Sequence, residues 1–131
     1  MEAAQRFLEA KERHQIGSGG WARTTAMAFD KLKMKDCSEV AKPEWWNDEG
    51  LKALSSRVVR ASPDNAAANH MRADVLCGQL GAWEVGPRSA AELKEAAAHF
   101  ERAAALSDAP AVKASLADRA DWCRSLVEEI L

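Results

Sequence analysis

The sequence predicts an all-α domain of six helices in antiparallel hairpins, and three observations lead to this prediction. Apolar residues make up 47% of the 131 residues, Tyr is absent, alanine is plentiful and β-branched residues are sparse, which favours helices over strands. Apolar side chains recur at helical spacing in several segments. Short stretches rich in Gly or Pro separate these segments, as is typical of helices with short connections. The length suits a single domain over residues 1–131.

Charge and hydropathy exclude several classes of protein. The formal net charge of −2 gives no electrostatic footprint for nucleic acid. No apolar run approaches the roughly 20 residues of a membrane-spanning helix, so no membrane partner is expected. The N-terminus carries acidic residues from position 2 and lacks the apolar stretch of a secretory signal. These features predict an intracellular protein, cytoplasmic in the simplest case, with an organelle left open.

The cysteines point in the same direction. Cys37, Cys77 and Cys123 are odd in number and widely spaced, and the sequence has no CxxC pair. This pattern argues against a zinc site and against a disulfide framework. Reduced, partly buried thiols in an intracellular protein are expected instead.

Residues 1–42 are predicted to form an N-terminal helical hairpin. Its first helix covers 1–16 and ends at the glycines of 17–20, which form a turn or a hinge. In the hinge alternative, the first helix packs elsewhere or swaps to a neighbouring chain. The second helix covers about 21–35. The residues expected on its apolar side are Trp21, Thr25, Ala28 and Leu32.

Lysines cluster at the end of this second helix and just beyond it. They are Lys31, Lys33, Lys35 and Lys42. Positive charge in a last turn complements the helix dipole, so a solvated helix end is the expected role. Binding of phosphate or of an acidic peptide is the alternative.

The third predicted helix runs from Pro43 to about Ala61. Pro is tolerated at a first helical position, and acidic residues suit a first turn. In the alternative, Asp48 caps the helix and the tryptophans Trp45 and Trp46 stay in the preceding loop. The residues expected to face the core are Leu51, Leu54 and Val58. Pro63 ends the helix.

The fourth predicted helix covers about 65–83, with Asp64 or Asn65 as its cap. Its main apolar stripe consists of Ala73, Leu76, Leu80 and Trp83. The fifth begins at Ser89, where Glu92 three residues later completes a capping box, and ends near Leu106. Its narrow stripe consists of Leu93, Ala97, Phe100 and Ala104. The alanines require close approach of the neighbouring helices.

The sixth predicted helix follows Pro110 and runs to the C-terminus. Its expected inner stripe consists of Val112, Leu116, Cys123, Val127 and Ile130. With short loops on both sides of the fifth helix, the fourth and sixth helices are expected to pack against it.

The fifth helix resembles the second helix of a tetratricopeptide repeat. The matching positions are Leu93, Ala96, Phe100, Ala103 and Leu106. In the helix before it, Ala73 and Leu76 fit the first-helix pattern, whereas Asn69 and Arg72 do not. The resemblance covers about residues 49–126 and departs from the 34-residue period. It implies a right-handed array over 43–131; a compact helical bundle unrelated to the family is the alternative.

His70, Asp74 and Cys77 form the sharpest polar cluster, because they lie at i, i+4 and i+7 on one side of a helix. The resemblance implies that they line a concave face that contacts a peptide. The residues alone also fit a surface His–Asp pair beside a half-buried thiol. One imidazole, one carboxylate and one thiol fall short of the four ligands usual for zinc, so no metal is expected.

Asp118, Asp121 and Trp122 occupy like positions on the last helix, and the resemblance adds them to the same binding face. An acidic patch beside an aromatic residue suits a basic or amphipathic segment. A solvated helix face is the alternative for the two carboxylates. An exposed Trp122 would be a contact residue.

Trp45 and Trp46 are adjacent, and adjacent residues of a helix cannot both face one core. One of them is expected to cover the edge of the core between the second and third helices. The other is a candidate anchor for a partner or for a second copy of the chain.

The predicted function is a non-catalytic protein–protein interaction scaffold or a small subunit of a larger assembly. Its expected partner is a protein or a peptide, with a homo-oligomer also possible and no cofactor. One alternative is a helical bundle that serves homo-oligomerisation through its tryptophans. Another is a small cofactor-less enzyme or ligand-binding bundle with His70 in an internal pocket. No phosphate-binding loop, HExxH motif or nucleophile elbow is present to favour catalysis.

Overall fold

The computed structural model describes residues 15–33, 44–78 and 85–130, and the only regular secondary structure among these residues is α-helix. The prediction of an all-α fold is therefore confirmed. Its helices are α1 (Gly19–Leu32), α2 (Asp48–Ala61), α3 (Ala66–Cys77), α4 (Ala90–Leu106) and α5 (Pro110–Ile130). The helix predicted over 1–16 falls almost wholly outside the described residues, so the count of six helices stays a prediction.

The starts of α1 and α2 differ from the predicted ones by a few residues. Ser18 caps α1 by accepting a hydrogen bond from the Trp21 N–H, so the helix begins within the glycine stretch. The side chain of Asn47 caps α2 by accepting from the Gly50 N–H. The start at Pro43 is wrong, because residues 44–47 precede the helix. The tryptophans lie before α2, as in the alternative.

Both polar caps further along the chain are confirmed. Asn65 caps α3 through the Ala68 N–H. At α4, Ser89 accepts from the Glu92 N–H while Glu92 accepts from the Ser89 N–H, so the capping box is complete. The predicted end of α3 is wrong: Gly78 takes a left-handed conformation and stops the helix after Cys77. Leu80 and Trp83 lie outside the described residues.

Each helix packs against its neighbours in the chain, and α1 also packs against α3. The buried apolar residues form two clusters. The N-terminal cluster consists of Trp21, Ala22, Ala26, Phe29, Leu51, Val58, Ala68, Met71 and Val75. The C-terminal cluster consists of Ala73, Leu76, Cys77, Ala96, Ala97, Phe100, Ala103, Leu116, Ala120 and Cys123. Because α3 contributes to both, it is the central helix of the described fold.

The stripes predicted for α4 and α5 are confirmed except at their ends. Phe100 is fully buried, with small residues around it that allow close helix contact, whereas Ala104 is only partly buried. Val112 and Ile130 are exposed, so their place in the inner stripe is wrong. Ala120 is the residue of α5 that is buried in their stead. No helix of the described chain is long and apolar enough to cross a membrane.

Candidate functional site

An open groove of about 410 Å³ runs between α1 and α3. Its lining residues are Ala26, Met27, Phe29, Asp30, Lys31, Ala67, His70, Met71 and Asp74. Phe29 and Met71 are buried and give the groove an apolar floor. Met27 is exposed at its rim. Two of the predicted site residues, His70 and Asp74, lie together at its polar end.

Asp74 is the centre of a charged cluster that joins three helices. Its carboxylate is 1% exposed and lies 2.5 Å from Lys33 Nζ at the end of α1. Arg119 Nη2, on α5, is 2.9 Å from Asp74 Oδ1. Lys33 also pairs with Asp30 at 3.3 Å. A buried carboxylate requires such compensation, and these cations supply it from both sides.

The position of Lys33 corrects the prediction of a solvated basic patch. Its side chain is turned into the structure and contacts Asp74, whereas Lys35 and Lys42 lie outside the described residues. The pairing explains why Asp74 can be buried on α3, where the same helix face offers it His70 and Cys77 but no permanent cation.

His70 contacts both charges of this cluster. Its Nε2 atom lies 3.3 Å from Asp74 Oδ2 and 3.3 Å from Arg119 Nη1. A guanidinium can only donate and a carboxylate can only accept, so neutral His70 accepts from Arg119 when its proton is at Nδ1 and donates to Asp74 when its proton is at Nε2. Burial lowers the pKa of His70; Asp74 opposes this, and Lys33 and Arg119 add to it. His70 is therefore uncharged near neutral pH.

Arg119 was missed by the sequence analysis, which chose its neighbour Asp118. The guanidinium lies 4.8 Å from the ring centroid of Phe100 as well as beside Asp74, so it is held by a cation–π contact and an ion pair. The feature of the sequence that could have indicated such a cation is Asp74 itself. A carboxylate within the packed side of a helix needs a cation, and the sequence offers none at helical spacing from it.

Cys77 is not among the residues that line the groove. It is fully buried, and its thiol donates to the Asp74 carbonyl at 3.4 Å. A hydrogen bond with Cys77, together with burial, raises the pKa of Cys123, which is also fully buried. Both side chains belong to the core. The surface contact expected for Cys77 is not available in this arrangement.

The three site residues predicted on α5 are exposed and are not brought to the polar end of the groove. Asp121 pairs with Arg124 at 3.0 Å on the surface. Asp118 is exposed, and Trp122 keeps a large part of its ring in solvent. The groove residues of α3 and the acidic residues of α5 thus form two separate surfaces.

Trp45 and Trp46 both pack against the N-terminal cluster. The ring centroids of Trp46 and Phe29 are 5.5 Å apart, and those of the two tryptophans are 5.9 Å apart. The expected cover of the core edge is therefore supplied by both tryptophans, and the role of one of them as an anchor for a partner or a second copy stays a prediction. Because they precede α2, helical geometry does not force them apart.

The arrangement at the polar end suits positioning better than proton transfer. The Asp74 carboxylate already has cations on both sides, and His70 Nε2 faces one of them. The described residues contain no group of three or more His, Cys, Asp or Glu that could hold a metal ion. Comparisons with protein-family models, with curated proteins and with solved structures give no match for this chain.

Proposed function

We propose that this chain is a non-catalytic interaction domain that binds an amphipathic segment of a protein partner in the groove between α1 and α3. The observation that carries the proposal is the composition of the groove. It has an apolar floor at Phe29 and Met71, an exposed methionine at its rim and polar side chains at one end. A segment with an apolar anchor beside polar residues fits such a surface.

The polar end is ordered before any partner arrives, which favours binding. Lys33 and Arg119 hold the Asp74 carboxylate, and His70 Nε2 lies against both Asp74 and Arg119. Side chains that are already immobilised lose little conformational entropy on binding.

A tetratricopeptide-like arrangement is part of the same proposal. In such an array alternate helices lie side by side and line one surface. The packing of α1 on α3 and the link from Asp74 to both α1 and α5 support this arrangement. The groove would then belong to the surface formed by α1, α3 and the side of α5 that carries Arg119, and the domain would serve as a scaffold or a small subunit of an assembly.

A matched pair of substitutions tests the groove. Peptides selected from a displayed random library on the wild-type chain are expected to lose most of their affinity for Ala67→Glu, which places a charge in the groove. Ala98→Glu introduces the same side chain on the exposed side of α4 and is expected to keep that affinity. Calorimetric titration measures both, and thermal unfolding verifies that both variants fold. Equal binding by the two variants would contradict the proposal.

A further inference from the structure

The large apolar side chains that are exposed within the described residues are confined to the first and last of the described helices and to the turn before α1. They are Ile16 at 67%, Met27 at 43%, Val112 at 47%, Trp122 at 40% and Ile130 at 52%. Ile16 lies in the turn before α1, Met27 lies in α1, and the other three residues belong to α5. The intervening helices of the described chain expose none.

This distribution follows from the order of packing. Each inner helix has packed neighbours that cover its apolar residues, whereas α5 packs chiefly against α4. The residues of α5 that are buried are Leu116, Ala120, Cys123 and Val127. They form one side of a 21-residue helix, so the opposite side is bare. Bare end helices are the positions at which stacked helical proteins need a cap or a neighbour.

The end of the stack at α1 is basic. Arg23, Met27 and Lys31 follow one another at spacings of four and therefore lie on one side of α1. Neither cation forms an ion pair within the described part of the chain, and Arg23 is exposed. Ile16, Arg23, Met27 and Lys31 are called the basic end face.

The end at α5 is acidic. Asp118 and Trp122 are separated by four residues, and Asp121 lies between them in the chain on the exposed side. Asp118 makes no ion pair with the residues that the structure describes, and Asp121 pairs only with Arg124 among them. Asp118, Asp121 and Trp122 are called the acidic end face.

We propose that the basic end face of one copy of this chain docks on the acidic end face of a second copy, head to tail. Arg23 and Lys31 then lie opposite the carboxylates of Asp118 and Asp121, and the thioether of Met27 can rest against the ring of Trp122. Since the two faces are different surfaces of one chain, the contact is heterologous. It continues the stack from copy to copy and gives a ring or an open array.

The experiment measures average mass by sedimentation and light scattering over a wide range of protein concentration. For the wild-type chain the average mass is expected to rise with concentration. Arg23→Glu and Asp118→Arg should each abolish this rise, because each places like charges across the contact. Trp122→Ala should weaken it. Lys94→Glu, a charge reversal at an exposed position of α4, should leave the rise unchanged.

Combining the two charge reversals tests whether the basic end face docks on the acidic end face. An equimolar mixture of Arg23→Glu and Asp118→Arg chains restores opposite charges at every contact, as does a chain carrying both substitutions. Both samples are expected to regain the concentration-dependent rise. A wild-type chain that stays monomeric throughout overturns the proposal, as does association that neither charge reversal affects or that the mixture fails to regain. Met27 and Lys31 also line the groove, but none of the four substituted residues does, so peptide binding by the same variants distinguishes failure of the association from failure of the groove.

Discussion

Gly78 and Gly17 both have a positive φ, at +63° and +89°, but their surroundings differ. A Cβ at Gly78 would lie 2.5 Å from Val85 Cγ1 and 2.8 Å from Arg88 Nε, whereas nothing lies within 4 Å of one at Gly17. Gly78→Ala should therefore add a steric clash to the roughly 1–2 kcal/mol that a left-handed alanine costs. Gly17→Ala should cost the conformational part alone.

Urea unfolding of the two alanine variants measures this difference directly. The loss of unfolding free energy should be clearly larger at Gly78. Equal losses would mean that Val85 and Arg88 move aside without cost. The inference that these two residues pack too tightly on Gly78 to admit a side chain would then be wrong.

His70 makes the stability of the fold dependent on pH. Burial, Lys33 and Arg119 keep its folded pKa below the ordinary value of 6.5 despite Asp74, so the unfolded chain binds more protons as the solution is acidified. The stabilisation is present above pH 6.5 and is lost as the pH falls from there towards the folded pKa. His70→Gln should reduce the fall in urea midpoint between neutral and mildly acidic solution.

His99 is expected to make a second contribution to the same pH dependence. Burial also lowers its pKa, while a hydrogen bond to Glu95 opposes the shift. His99→Gln should therefore remove part of the same pH dependence, and the double variant should remove more than either single variant. An unchanged pH profile in His70→Gln would show that the protonated imidazole is tolerated beside Arg119.

The charged cluster also shows how far residue-scale inference from the sequence reaches. The spacing of His70 and Asp74 predicted their contact, which the structure shows at 3.3 Å. It could not predict that Asp74 is buried, because Lys33 and Arg119 come from segments 41 and 45 residues away. Local spacing carries no information about which distant cation is brought near.

At the scale of elements, Arg88 ties three helix ends together. Its Nη2 donates to the Val75 carbonyl at 2.9 Å, near the end of α3, and its Nη1 is 2.9 Å from Asp48 Oδ2 at the start of α2. Nη2 also donates to Asp48 Oδ1, at 2.5 Å. Arg88 itself lies just before α4. An ammonium group cannot reproduce this planar, two-sided arrangement.

Arg88→Lys is therefore expected to cost about 1.5–3 kcal/mol of unfolding free energy, the range of hydrogen bonds to charged groups. Arg60→Lys, on an exposed part of α2, should change it little. Chemical denaturation at neutral pH measures both. A loss of unfolding free energy at position 88 no greater than at position 60 would contradict the role of the Arg88 guanidinium in joining the three helix ends.

The ion pair between Arg88 and Asp48 also predicts that the start of α2 loses stability in acid. The hydrogen bond from Arg88 lowers the pKa of Asp48 from 3.8 to about 2. Because the folded pKa is the lower one, the stabilisation is present above pH 3.8 and lost as the pH falls through about 2. Arg88→Lys should shift this loss to higher pH, and an acid titration followed by circular dichroism measures it.

Helix boundaries were predictable where a side chain satisfies the backbone locally. The starts of α3 and α4 were predicted correctly from Asn65 and from the pair of Ser89 and Glu92. Each cap joins residues only three positions apart, so it can be recognised in the sequence. The start at Asn47 was missed because Pro43 and Glu44 also suit a first turn. The end at Gly78 was missed because apolar residues continue beyond it, and only the approach of Val85 and Arg88 shows why glycine is needed there.

For the whole molecule, composition and spacing were enough to predict an all-α fold and the neighbours of α4. The alanines of α4 indicated close packing on both sides, and the structure places α3 and α5 there. The division of the core into two clusters was not predictable. It depends on opposite sides of α3, where Met71 and Val75 serve one cluster and Ala73 and Leu76 serve the other.

The sharing of α3 predicts that the two clusters unfold together. Phe100→Ala should cost about 3–5 kcal/mol, because the ring is fully buried in the C-terminal cluster. The tryptophans of the N-terminal cluster, Trp21, Trp45 and Trp46, lie on the other side of α3. Their fluorescence should nevertheless show the same lowered urea midpoint as far-UV circular dichroism, since α3 cannot lose one cluster and keep the other. If the fluorescence midpoint stays at its wild-type value while the dichroism midpoint falls, the clusters are independent units and α3 does not couple them.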